Sequence, residues 1–143
     1  MQRFSKFSKR RTKGGSVIWK RAPDVKKRIS YLVDCLNLDW IKKTKIHSFR
    51  SINSSSRAYA RVWGFSKIWQ QALKLNANYI IEVLSERFDN LDDKEKDKVL
   101  LHELAHIPKN FSGSLLPHVR RRGKRNFHDR VEDLYTQYLK TKL

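Results

Sequence analysis

The sequence of 143 residues has one cysteine, few acidic residues and no long apolar run, and each shortage excludes a class of protein. With Cys35 alone, the chain forms neither an internal disulfide nor a zinc cluster built from cysteines. Any metal ion must therefore be bound by histidine and carboxylate side chains. No apolar run approaches the roughly 18 residues that a membrane-spanning helix needs, so we expect no membrane partner.

The first sixteen residues, MQRFSKFSKRRTKGGS, are positively charged but lack the apolar core of a secretory signal peptide. We therefore expect a cytoplasmic protein. The same residues include six basic side chains, no acidic ones and a Gly14-Gly15 pair. They predict a basic flexible arm over residues 1–16, followed by a single domain over residues 17–143.

Acidic residues are scarce, because 14 Asp and Glu stand against 32 Lys and Arg and leave a net charge of +18. An imbalance of this kind usually indicates a polyanionic partner. A surface stabilised by ion-pair networks would need both signs of charge. We therefore expect non-specific contact with DNA or RNA, with a solvated basic surface as the alternative.

Hydrophobic periodicity predicts a helix near each end of the domain. Over residues 22–38, Pro23 and Asp24 occupy the first turn, where a fixed φ and a negative charge favour helix formation. The predicted buried stripe of this helix is Val25, Ile29, Leu32, Val33 and Leu36. A second helix is predicted near residues 125–140. Its predicted buried residues are Phe127, Val131, Leu134, Tyr135 and Tyr138.

Strand patterns occupy the middle of the chain. Residues 45–51 form a plausible short strand, residues 57–65 alternate with period two, and residues 78–85 are a β-rich apolar run. Residues 66–73 fit either a short helix or a continuation of the strand, and we favour the helix.

A further helix is predicted over about residues 93–107. Asp92 with Glu95 three residues later is a capping-box pattern that starts it, and Pro108 and Gly113 end it. The sheet precedes this helix in the chain. The sequence therefore predicts an α+β fold in which a small sheet packs on this helix and other helices flank it.

On this helix, His102, Glu103 and His106 form the H-E-x-x-H pattern. Residues four apart lie one turn apart on the same face, so both imidazoles can bind one zinc ion. Glu103 is directed to another point near the metal, where it can act as general base on water. The pattern predicts a zinc-dependent hydrolase with Glu103 as its catalytic residue.

A catalytic zinc needs a third protein ligand and an open position. His118 is our preferred candidate, because a loop with Pro108, Gly113 and Pro117 can return the chain to the helix. His128 and Glu132 on the last helix are the alternatives. We interpret His47, in a predicted strand, as structural or surface-exposed.

The segments HELAHIPKNFSGSLLPH and RRRGKRNFHDRVEDLY resemble metallopeptidases of archaea and phages, and these are similar in outline to the SprT-like zincins. ARVWGFSKIWQQAL and YIIEVLSERFDNL also resemble that group. The resemblance implies a zincin-like fold, zinc as cofactor and hydrolysis of a protein or peptide substrate. In SprT-like proteins a His-Gly-x-x-Phe segment supplies the last histidine. Here Gly123 and Phe127 match it loosely, with four residues between His118 and Gly123.

SprT-like relatives include proteases that cut proteins trapped on DNA, and two basic segments of this chain would suit such a setting. The predicted nucleic-acid contacts are Arg10, Arg11, Lys13, Arg120, Arg121, Arg122, Lys124 and Arg125. The rival hypothesis is a basic nucleic-acid-binding protein with a structural or inactive zinc site, which would have no use for Glu103. For the four tryptophans we favour packing in the core and at its rim over base stacking. These residues are Trp19, Trp40, Trp63 and Trp69.

Overall fold

A computed structural model describes residues 15–118 and 126–143. Most of the predicted basic arm lies outside these residues, and so does the basic segment after His118. All eight predicted nucleic-acid contacts therefore fall outside the described part of the chain: Arg10, Arg11, Lys13, Arg120, Arg121, Arg122, Lys124 and Arg125. The arm, its boundary with the domain and these contacts remain predictions.

The described residues form four strands, five α-helices and one 3₁₀ turn, which confirms the α+β class. In chain order these are β1 (Ile18–Arg21), α1 (Pro23–Cys35), the 3₁₀ turn (Lys43–Lys45), β2 (Ile46–Ile52), β3 (Ala60–Trp63), α2 (Lys67–Leu73), β4 (Tyr79–Leu84), α3 (Ser85–Phe88), α4 (Asp93–Ala105) and α5 (Phe127–Lys140). The sequence predicted every element except β1, the 3₁₀ turn and α3. Residues 67–73 are helical, as favoured.

The strands form one mixed sheet in the order β1-β2-β4-β3, with β2 and β4 parallel and the other neighbours antiparallel. Successive side chains alternate between the two faces. Ile46, Ala60, Ile81 and Val83 belong to the core that the helices complete. The opposite face, which we call the outer face, is formed by Trp19, Arg21, His47, Phe49, Arg61, Trp63, Ile80 and Glu82.

Helix α1 buries Val25, Ile29, Leu32 and Val33 in this core, as its periodicity predicted. A buried polar network joins α1 to the other two long helices. Arg28 of α1 donates to Asp97 of α4 at 2.8 Å, and Tyr138 of α5 donates to the other oxygen of Asp97 at 2.7 Å. Asp97 is buried and both its oxygens are bonded, which is how a buried charge is tolerated. The network fixes the orientation of α4 between its neighbours.

Helix α4 begins as predicted, since the Asp92 side chain accepts a hydrogen bond from the Glu95 amide at 2.8 Å. Its end differs slightly from the prediction, because the helix closes at Ala105 and His106 is the C-cap. The His106 amide bonds the Glu103 carbonyl at 3.1 Å, three residues back, which tightens the last turn. His106 keeps right-handed helical dihedral angles, so the H-E-x-x-H residues still share one helical turn.

Within residues 15–118 and 126–143, no helix has the length and apolar character that crossing a membrane would require.

Candidate metal centre

Three histidines from α4 and the loop after it converge on one point. The ring centroids are 5.3 Å apart for His102 and His106, 5.1 Å for His102 and His118, and 4.4 Å for His106 and His118. One nitrogen from each ring lies within 4.8 Å of the others, and the Nε2 atoms of His102 and His118 are 3.1 Å apart. Ligands of a tetrahedral zinc ion at 2.0–2.1 Å are separated by about 3.3 Å. The three donors therefore fit one divalent metal ion.

Loop hydrogen bonds bring His118 back to the helix. Leu116 donates its amide to the His106 carbonyl at 2.7 Å, and its own carbonyl accepts from His106 Nδ1 at 2.5 Å. A carbonyl only accepts, so Nδ1 carries the proton and Nε2 is left with its lone pair. A backbone partner of this kind fixes the tautomer and orientation of a metal-binding imidazole.

Gly113 and Tyr79 anchor the same loop to the sheet. The Tyr79 hydroxyl donates to the Ser114 carbonyl at 2.9 Å and accepts from the Gly113 amide at 2.7 Å. Gly113 has a φ of +100°, and a Cβ atom there would lie 2.3 Å from the Phe65 carbonyl oxygen. Only glycine fits this position without backbone movement. From the sequence, we expect Pro108, Gly113 and Pro117 to turn this loop back to the helix. In the structure, hydrogen bonds with Tyr79 of β4 also hold the loop in place.

Helix α5 contributes a ring beside the metal centre. The Phe127 ring stacks on His106 at 4.2 Å and meets the His102 and His118 rings edge-on at 5.1 and 4.7 Å. Arg130, one turn further on, donates to the carbonyls of Ala105 and Ile107 at 2.8 and 2.9 Å. These carbonyls end α4, where a cation is favourable. From the sequence, Phe127 is predicted to be buried and loosely matches the Phe of the His-Gly-x-x-Phe segment. Neither pattern identifies which rings Phe127 contacts.

Burial keeps His102 and His106 neutral. It lowers the pKa of His102 to about 4, with a further contribution from His106 and His118 nearby. Burial also lowers the pKa of His106, although its bond to Leu116 opposes the shift. A metal ion binds neutral imidazole, so both rings are in the metal-binding form at pH 7.

Glu103 is buried, with 8% of its surface exposed, and its carboxyl group lies against strand β3. Burial raises its pKa to about 8, and a hydrogen bond with the Val62 backbone only partly opposes this. The imidazoles of His102 and His106 meet at the metal centre, whereas Glu103 is directed to the sheet side of α4. The two kinds of side chain therefore occupy different positions around one helical turn.

The alternative ligands lie nearby but outside the group of converging donors. His128 and Glu132 line a cavity of about 310 Å³ together with His102 and His118. Neither belongs to the set of nitrogen and oxygen atoms that meet within 4.8 Å in the described residues. His47 of β2 donates to Asn78, the residue before β4, at 2.8 Å, in agreement with a structural role.

Comparison with known families supports this chemistry. Residues 17–139 match the family model described as "Putative phage metallopeptidase". The chain belongs to this phage metallopeptidase family. Membership implies a metal-dependent peptidase, hence a hydrolase acting on protein substrates, and the three histidines are a group that could hold its metal ion. Neither the curated proteins nor the solved structures compared with the chain give a match.

Proposed function

We propose that the protein is a zinc-dependent peptidase in which His102, His106 and His118 bind zinc and Glu103 is the general base. The convergence of three imidazole donors beside a buried carboxyl group is the observation that carries this proposal. Three protein ligands leave a fourth tetrahedral position open, as a catalytic zinc site requires. Three imidazole ligands suit zinc better than magnesium or calcium, which prefer oxygen ligands.

When bound, zinc would supply Lewis acidity, which lowers the pKa of water and polarises a peptide carbonyl. The protein's own part is to place the ligands and to move a proton. Phe127 and Leu116 hold the rings of the ligand histidines, so little reorganisation is needed when the metal binds. The Glu103 carboxylate accepts the proton of the attacking water and later delivers it to the leaving amine.

A proton acceptor works best when its pKa lies near the working pH. Burial raises the pKa of Glu103 well above 4.5. The positive charge of a bound metal ion would lower this pKa again, towards neutral pH. The hydrogen bond with Val62 restrains the carboxyl group beside β3. A buried carboxyl group with one backbone partner has no evident structural use, which favours catalysis over an inactive or purely structural zinc site.

The net charge of +18 supports the further proposal that this peptidase acts near nucleic acid. Its predicted contacts are Arg10, Arg11, Lys13, Arg120, Arg121, Arg122, Lys124 and Arg125. Each phosphate neutralised by such a residue releases condensed cations, so binding of this kind weakens steeply as salt rises.

Removal and return of the metal test the proposed function. Purified protein should contain about one zinc per chain and hydrolyse an unfolded protein substrate such as casein. A chelator should abolish hydrolysis, and zinc should restore it. Zinc-free protein with undiminished hydrolysis would contradict the proposal. A His128→Ala variant is the matched control, because it changes a histidine in the same cavity and should respond as the unmodified protein does.

A further inference from the structure

The outer face of the sheet carries two exposed tryptophans that are held by one buried carboxylate. Trp19 on β1 and Trp63 on β3 are 56% and 47% exposed. Trp19 Nε1 donates to Glu82 Oε2 at 3.3 Å, and Trp63 Nε1 donates to Glu82 Oε1 at 2.8 Å. Glu82 is fully buried. The two indoles are thus neighbours across the centre of the face, each fixed by its N–H edge while about half of its surface remains open.

Arginines complete this arrangement. Arg61 donates to both oxygens of Glu82 at 3.2 and 3.1 Å, and its guanidinium carbon lies 5.3 Å from the centre of the Trp63 ring. Arg21 lies 5.1 Å from the centre of the Phe49 ring. Burial alone would raise the pKa of Glu82, but the bonds from Arg61 and Trp63 outweigh it and lower the pKa. The carboxylate is therefore charged and fully engaged.

The charges that this face presents to solvent are positive. Among the described residues that form it, Glu82 is the one carboxylate, and it is buried beneath the indoles. Arg21 is exposed, and Arg61 is partly exposed. From the sequence we expect the four tryptophans to pack in the core or at its rim. Trp40 does pack against the core, but Trp19, Trp63 and Trp69 are exposed.

From these observations we propose that the outer face binds single-stranded nucleic acid, with Trp19 and Trp63 as stacking surfaces and Arg21 as a phosphate contact. Unpaired bases stack on aromatic rings with little sequence preference, and cationic side chains follow the backbone. Indoles already fixed by Glu82 lose little side-chain entropy on stacking. A duplex hides the faces of its bases, so the site should favour single strands. This proposal does not depend on the metal centre, which lies on the other side of the sheet.

Fluorescence anisotropy with a labelled oligo-dT at about 50 and 200 mM salt provides the test. Trp19→Ala and Trp63→Ala should each weaken binding by about tenfold, a typical effect for one stacked base. Trp69→Ala is the matched control, since Trp69 is 58% exposed but lies on α2 and not on the sheet. It should bind as the unmodified protein does. Thermal unfolding of each variant checks that the fold is retained.

A second pair of variants leaves the buried cluster intact. Arg21→Glu should weaken binding several-fold and reduce its salt dependence. Lys27→Glu makes the same change in net charge at an exposed position of α1 and should have a small effect. Three outcomes would overturn the proposal: no oligo-dT binding at the lower salt, equal losses in the Trp69 or Lys27 controls, or tighter binding of duplex than of single strand. Concentration-dependent self-association lost in Trp63→Ala would instead identify the face as a protein contact.

Discussion

Two buried glutamates, Glu82 in the sheet and Glu103 in α4, have opposite electrostatics. Glu82 accepts hydrogen bonds from Arg61, Trp19 and Trp63, and its pKa is lowered. Burial raises the pKa of Glu103 to about 8, and a hydrogen bond with the Val62 backbone opposes this only in part. Burial alone therefore does not decide what a carboxyl group does. A fully bonded carboxylate organises its surroundings, and one that is poorly compensated is available for proton transfer.

The largest effect is expected at the metal centre, where we predict that His118→Ala lowers zinc affinity by more than a hundredfold. Loss of a direct ligand should exceed the 10–100-fold loss typical of residues that only support ligands. His128→Ala and Glu132→Ala should change the affinity little. Competition with a zinc-binding dye measures all three. If a variant of Glu132 or His128 loses zinc while His118→Ala retains it, the third ligand comes from α5 and our assignment of His118 is wrong.

A smaller effect is expected from breaking the Glu82 cluster. Glu82→Ala should destabilise the protein by about 3–5 kcal/mol, because it leaves Arg61 and two indole N–H groups without their buried partner. Glu82→Gln keeps one acceptor and should cost less. Denaturant unfolding at pH 7 measures both. If Glu82→Ala unfolds like the unmodified protein, the cluster does not stabilise the sheet and the contrast with Glu103 is lost.

The smallest expected effect is a difference between Glu103 and Glu82 in how protein stability depends on pH. In metal-free protein, the raised pKa of Glu103 means that ionising this group opposes folding. The stability that its protonated form contributes is present below about pH 4.5 and is lost as pH rises through about 8. Glu103→Gln should therefore raise the melting temperature by roughly several degrees at pH 8–9 and by little at pH 5. Glu82 should have the opposite dependence, since its lowered pKa stabilises the fold above about pH 4.5 and loses this effect in acid.

A melting-temperature difference for Glu103→Gln that is constant between pH 5 and pH 9 would contradict this contrast. Asp97→Asn is unsuitable as a control because Asp97 bonds both Arg28 and Tyr138. Glu95→Gln is suitable, since Glu95 is exposed and on the same helix, and its substitution should show no comparable pH dependence.

Periodicity and capping predicted the elements that position the site. The apolar stripe of α1, the Asp92 cap of α4 and the period-two pattern around β3 all correspond to observed elements. Strand β1 was not predicted, because it has only four residues and all are exposed. It is stabilised by pairing with β2, about 30 residues later in the chain. Such long-range pairing leaves no local signal in the sequence.

Site geometry was predictable only where it follows from one helix. The turn of α4 sets the relation between His102 and His106, whereas the approach of His118 depends on Leu116, Gly113 and the Tyr79 hydroxyl. These contacts join β4 to a loop more than 30 residues away. The exposure of Trp19 and Trp63 was also beyond prediction, because it depends on which face of the sheet the helices cover.

The central claim is that Glu103 moves protons and does not hold the metal, and the Glu103→Gln variant tests it most directly. Zinc content and casein hydrolysis should be measured on the same preparation. We predict about one zinc per chain, as in the unmodified protein, with hydrolysis reduced by at least a hundredfold, the usual contribution of a general base. Zinc retained with undiminished hydrolysis would contradict the account, and so would loss of zinc from this variant.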